Sequence, residues 1–126
     1  MGTGTVIDAA VDREIRDLIY RACLLLDQRN FLGWLELCAP TFRYTISAYS
    51  PEIRKEMIWL DHDLEGMVNM IRVLPRHNSD QSLLTRHASV YQIAHDPTAN
   101  QAEAVTSVLI FRTDLDGGAT SLFAVG

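Results

Sequence analysis

The residues best equipped for chemistry lie in two short stretches. The first is HNSDQSLLTRH, His77 to His87, which holds two of the four histidines, sets Arg86 beside the second, and gathers hydroxyl, amide and carboxylate groups where a polar loop feeds a strand. Binding residues concentrate at such junctions because a rigid scaffold holds a loop of free composition. The second is Asp61-His62-Asp63. With a tyrosine donor, a carboxylate or imidazole base in a pocket can move protons without a cofactor. The candidates for that chemistry are Tyr44, Asp61, His62 and His87, with Tyr20 as a further phenol. A plainer reading stands beside it: the tyrosines are core residues, His87 is a satisfied strand histidine, and Asp61 and Asp63 favour the positive end of a helix.

Other chemistries are excluded by spacing. A Rieske cluster needs Cys-x-His and Cys-x-x-His pairs, and neither Cys23 nor Cys38 has a histidine two or three residues on. A mononuclear iron site needs two histidines and a carboxylate converging on one point. Asp61, His62 and Asp63 would diverge by about 100° per residue on a helix, so no metal and no cofactor is expected in this chain. There is no phosphate-cradling glycine loop, no GxSxG elbow and no CxxC pair;. Cys23 and Cys38 sit in helical apolar patterns and are expected to be reduced core residues.

The chain has 126 residues, 48% of them apolar and 21% charged. That suits a single domain spanning 1–126. A net charge of −5, with one lysine, argues against a nucleic-acid partner;. No apolar run approaches the roughly 20 residues that span a bilayer, so no membrane association is expected, and the start MGTGTVIDAAVD lacks the pattern of a secretory signal;. The expected location is cytoplasmic.

Ile15, Leu18, Ile19, Ala22, Leu25 and Leu26 recur at helical spacing and predict an amphipathic helix over roughly 9–28;. A short helix should start at Asn30, carry Trp34 and Cys38, and stop at Pro40;. Residues 42–49 alternate as a strand with one apolar face. A connector containing Pro51 then leads to a third helix over roughly 61–73, with Asp61 and Asp63 at its start and Pro75 closing it. Strands are expected at about 84–94, 102–113 and 119–126, the last two joined by a tight turn at Asp116-Gly117;. This order is an α+β arrangement.

The meander carries two further signals. Val105, Leu109 and Phe111 point one way and Ala104, Val108 and Ile110 the other, so both faces are apolar and both need covering;. Either the sheet curls around its own pocket or another subunit packs on it, which makes Val108 and Ile110 candidate interface residues. Arg86 and His87 are consecutive and face opposite ways. Arg86, with its planar fork, is the candidate anchor to a partner chain or to the polar loop. The closing TSLFAVG reads as an unfinished strand, and the expectation is that the natural protein continues by another;.

The stretch LLLDQRNFLGWLELCAPTFRYTI resembles the opening segment of the small, or β, subunits of Rieske-type ring-hydroxylating oxygenases, and LLTRH before a strand resembles their Arg-His signature. YSPEIRKEMIWLDHDLEGM and HNSDQSLLTRH are similar to the methanesulfonate monooxygenase branch. The resemblance covers roughly residues 12–126. It implies a cystatin-like, nuclear-transport-factor-like cone, with a curved antiparallel sheet wrapped around a long N-terminal helix. It also implies a non-catalytic subunit assembled with a large α subunit, three of each, in which the α subunit carries the Rieske iron-sulfur cluster and the mononuclear iron. The long link between Tyr49 and Leu64 departs from the aromatic-ring members. The competing readings on the same fold are a stand-alone SnoaL-like or ketosteroid-isomerase-like enzyme, cofactor-free and using Tyr44, Asp61, His62 or His87, and a ligand-binding or homo-oligomeric module.

Overall fold

The computed structural model of the chain describes residues 8–77, 83–115 and 118–126. They form three helices and five strands in the order α1 (Ala9–Asp27), α2 (Phe31–Glu36), β1 (Arg43–Ser50), β2 (Lys55–Asp63), α3 (Leu64–His77), β3 (Leu83–Asp96), β4 (Gln101–Thr113) and β5 (Thr120–Val125). The class is α+β, as the sequence predicts. The elements fall into two compact units: α1 with β3, β4 and β5, and the stretch from α2 through α3.

In the first unit, Asp8 caps α1 by accepting from the Ala10 N–H at 2.7 Å;. At the other end Arg29 adopts φ 57°, and the Asn30 N–H reaches back to the Leu25 carbonyl at 2.8 Å. This is the helix-stop geometry that glycine usually serves. Asn30 thus closes α1, and α2 begins directly after it. The antiparallel sheet runs β3-β4-β5, with Arg86 opposite Ile110, His87 opposite Leu109 and Ala88 opposite Val108. Asp96 accepts from the Thr98 and Ala99 N–H groups to turn β3 into β4. Val108 and Gly126 exchange two backbone hydrogen bonds at the far end of β5. The expected turn at Asp116-Gly117 and most of the polar loop, residues 78–82, lie outside the described residues.

Along β3 the even positions 84–90 are half-buried and the odd ones exposed, because α1 packs on one face only. A bulge between Val90 and Gln92 reverses the alternation beyond it;.

The second unit corrects the predicted start of the third helix. Lys55–Asp63 is not helical; it is a strand paired antiparallel with β1, Tyr44 opposite His62 and Thr45 opposite Asp61. The sequence hides it because the connecting turn uses Arg54 at φ 54° in place of glycine or asparagine, and a bulge at Ile46/Ser47 breaks the alternation. Asp63 is the true cap, accepting from the Gly66 N–H at 2.8 Å;. Pro75 does not end the helix, which runs to His77. Within this unit α3 packs on the β1–β2 pair, and Met67 of α3, 4% exposed, is the one apolar residue fully enclosed among the described residues.

Candidate functional site

Arg86 and Asp27 form the best-enclosed polar contact in the first unit. The last residue of α1 presents one carboxylate oxygen to the Arg86 guanidinium at 2.8 Å and the other to the Arg86 backbone N–H at 3.1 Å. Their side chains keep 17% and 22% of their exposure. Both the guanidinium and the backbone N–H of Arg86 thus meet a carboxylate of this same chain. The contact fixes the end of α1 to the start of the meander. Close to the pair, burial pushes the Cys23 thiol up from its ordinary value; the Asp27 charge adds to this and Arg86 opposes it. Cys38 is raised by burial alone. Its thiol donates to the Trp34 carbonyl at 3.6 Å. Raised thiols are poor nucleophiles.

Val108 and Ile110 are half-buried and lie on the same face as Arg86, toward α1. The opposite face is open. There His87 packs edge-on against Phe111 with ring centroids 5.3 Å apart, and together with Thr85, Leu109, Thr113 and Thr120 they line a broad groove of about 570 Å³. Thr113 and Thr120 share a hydroxyl hydrogen bond of 2.9 Å across β4 and β5.

Tyr44, Asp61 and His62 belong to the other unit. Asp61 accepts two hydrogen bonds from the Arg43 guanidinium, both 2.7 Å, and a third from the Thr45 hydroxyl at 3.2 Å. The Arg43 hydrogen bonds hold its carboxyl below the ordinary carboxylate range, which weakens it as a proton acceptor. His62 faces the other way, toward α3, where a Cβ added to Gly66 would come within 2.8 Å of its Nδ1. Tyr44 stacks edge-on against Trp34 at 6.0 Å, and Trp34 meets Phe42 at 5.6 Å. Each of these residues has a structural role, and Asp61 and His62 do not converge, since neighbours on a strand face apart. Among the described residues no group of three or more His, Cys, Asp or Glu could hold a metal ion, and neither cysteine stands in a set fit for an iron–sulfur cluster;. No helix among them is long and apolar enough to cross a membrane. The sequence reading missed the Asp27 and Arg43 partners; an aspartate in the last turn of a helix, where the dipole disfavours it, is the signal that could have found Asp27.

No protein-family profile matches the chain. It is 40% identical over 119 residues to the β subunit of methanesulfonate monooxygenase hydroxylase from Methylosulfonomonas methylovora, covering 89% of this chain and 66% of that protein. It is 29% identical over 112 residues to the β subunit of 2-aminobenzenesulfonate 2,3-dioxygenase from an Alcaligenes species, covering 89% and 73%. The chain thus spans about two thirds of the first relative's length and somewhat more of the second's. Among solved structures it matches a β subunit from Novosphingobium aromaticivorans, assigned to an aromatic-ring-hydroxylating dioxygenase, with a TM-score of 0.72, 19% identity, and coverage of 94% and 76%. That match shows a shared fold, the cystatin-like, nuclear-transport-factor-like class implied by the sequence resemblance. The fold, the 40% identity and the segment order agree, and the chain belongs to the family of β subunits of ring-hydroxylating oxygenases.

Proposed function

We propose that this chain is the non-catalytic small subunit of a multicomponent Rieske-type oxygenase hydroxylase, supporting assembly of a large α subunit that carries the iron–sulfur cluster and the mononuclear iron. The observation that carries the reading is the 40% identity to a hydroxylase β subunit. Three of each subunit is the stoichiometry, and the cytoplasm the location, that accompany it. Both curated relatives belong to oxygenases named for sulfonates, and a sulfonated substrate for the holoenzyme is part of the reading.

The surface supports a heteromeric role. Trp59 at 70% exposure, Ile58 at 65% and Tyr49 at 59% stand on the β1–β2 hairpin among Glu52, Arg54, Lys55 and Glu56. Exposed aromatic anchors set in a charged surround suit recognition of a different chain, where charge selects the partner and apolar side chains supply the affinity.

The test is co-expression with a large subunit that carries Cys-x-His and Cys-x-x-His pairs. Expected is a stable complex, three and three by native mass spectrometry, with iron confined to the large chain and sulfonate-dependent oxygen uptake. Turnover of a small organic substrate by the isolated chain, abolished in His87→Ala, would overturn the reading.

A further inference from the structure

The β1–β2 hairpin carries two features that its own fold does not use. On the face turned away from α3, the register runs from the Arg43–Asp61 pair through Ser47, Ile58 and Tyr49 to Glu56. Trp59 lies within this run and has no strand partner, because Ile46 is opposite Leu60 and Ser47 is opposite Ile58. A bulge of this kind adds one residue to a strand and re-aims a side chain. Here it turns an indole out to 70% exposure beside two other exposed apolar residues, Ile58 and Tyr49. The second feature is the tip. Arg54 turns the chain at φ 54°, a conformation that glycine takes freely and other side chains oppose. A turn that had only to join two strands would use glycine or asparagine. Among the described residues neither Arg54 nor Lys55 makes an ion pair, so the strained turn secures no charge contact inside the chain.

We infer that this face of the hairpin is where the large subunit docks, with Trp59 as the central anchor and Arg54 as the charged contact at the tip. Tryptophan and arginine are the residues that most often carry binding energy at a contact, and strain kept at an exposed position points to a use for the side chain that causes it. The chemistry of the seat follows from the face. The large chain presents an apolar pocket for the indole, a carboxylate to the Arg54 guanidinium, whose planar fork takes one with two bonds, and a cation to Glu56. At the other end of the face Arg43 and Asp61 already neutralise each other, so the charges left to select a partner are those at the tip. A two-fold contact between copies of this chain would leave one of three small chains unpaired. One large chain for each small chain gives every hairpin a partner.

The inference rests on the subunit reading above, and the two failures differ. A wild-type chain that forms no complex with a large subunit defeats both; a complex that hairpin variants leave as tight as before defeats this one alone. Affinity for the large subunit should fall about thirtyfold or more in Trp59→Ser, with far-ultraviolet circular dichroism unchanged. Arg54→Gly separates a binding role from a structural one. It relieves the turn, so the thermal midpoint of the isolated chain should hold or rise, while affinity for the large subunit falls about tenfold and depends less on salt. The wild-type complex supplies a measurement that needs no variant. Hydroxyl-radical footprinting should protect Trp59 on assembly and leave Trp34, packed against Phe42 and Tyr44 within the chain, at its free rate. A Trp59 oxidised equally in the free chain and in the complex would overturn the inference, as would a folded Trp59→Ser or Arg54→Gly variant that binds the large subunit like wild type.

Discussion

Two of the arginine–aspartate pairs among the described residues join separate elements, one in each unit, and they use the same groups at nearly the same distance in different surroundings. Arg86–Asp27 joins a strand to the end of a helix at 2.8 Å, with 17% and 22% of the side chains exposed. Arg43–Asp61 joins two paired strands at 2.7 Å, with 64% and 32% exposed. In the first, water is largely displaced and each charge depends on the other. In the second, water competes for both, and the strand ladder would hold without it. Geometry alone would rank the doubly bonded Arg43 pair higher; burial reverses the order.

The largest expected effect follows from removing Asp27. Asp27→Ala strands the Arg86 guanidinium in a half-enclosed site and takes away the acceptor of the Arg86 N–H. Loss of one partner of a buried pair costs 3–5 kcal/mol; with these exposures about 2 kcal/mol is expected. Part is offset, by about 0.5 kcal/mol, because an aspartate at a helix C-terminus opposes the dipole. Urea unfolding of the chain measures it. Arg86→Lys keeps the charge and one donor, and should cost about half as much. A loss under ~0.5 kcal/mol for Asp27→Ala would break the contrast between the pairs.

The next effect asks what replaces a charge pair in fastening α3 to its strands. There the fit is steric: the His62 ring lies where a Gly66 side chain would be. Gly66→Ala gains about 1 kcal/mol of helix propensity but must displace the ring. The single variant should therefore be less stable than wild type by about 1 kcal/mol. In a His62→Ala background the ring is gone but the residue-62 Cβ still stands 3.2 Å from the added one, so the same change should cost clearly less than in the wild type. A double-mutant cycle reads the difference, and additivity of the two substitutions would show that the ring is not the obstacle.

How far such contacts could be read in advance differs between the units. In the first, the stripe from Ile15 to Leu26 and the alternation in β3 and β4 each repeat over several turns or pairs, so α1 and the meander were legible. The periodicity also showed both faces of β4 to be apolar, but not which one α1 takes. That choice depends on where the helix lands, and it puts Val108 and Ile110 inward and Leu109 outward. In the second unit, KEMIWLDHD has a broken alternation and a turn without glycine, while its two aspartates imitate a helix start. Only one of them is a cap, because Arg43, eighteen residues earlier, claims Asp61. Candidate acids and bases were legible as residue types; their partners, and so their availability, were not.

The smallest expected effect is the cleanest separation of the two pairs. Arg43, donating two hydrogen bonds, holds Asp61 below its ordinary value, with Thr45 adding to this. A carboxyl depressed in the folded state contributes stability above its unfolded value and loses it as pH falls through the folded one. Any contribution of Asp61 should therefore be complete at neutral pH and fade only below the usual carboxylate range. Because the pair stands in water, only a small fall in unfolding midpoint is expected for Arg43→Ala at pH 7. The titration should still move. Carbon-13 NMR of the Asp61 carboxyl should give a midpoint below the ordinary value in the wild type and a return toward it in Arg43→Ala, with added salt narrowing the difference. A midpoint that stays depressed without Arg43 would assign the shift to Thr45 and His62, and would mean that the guanidinium, despite its two short contacts, is not what keeps Asp61 from serving as a base.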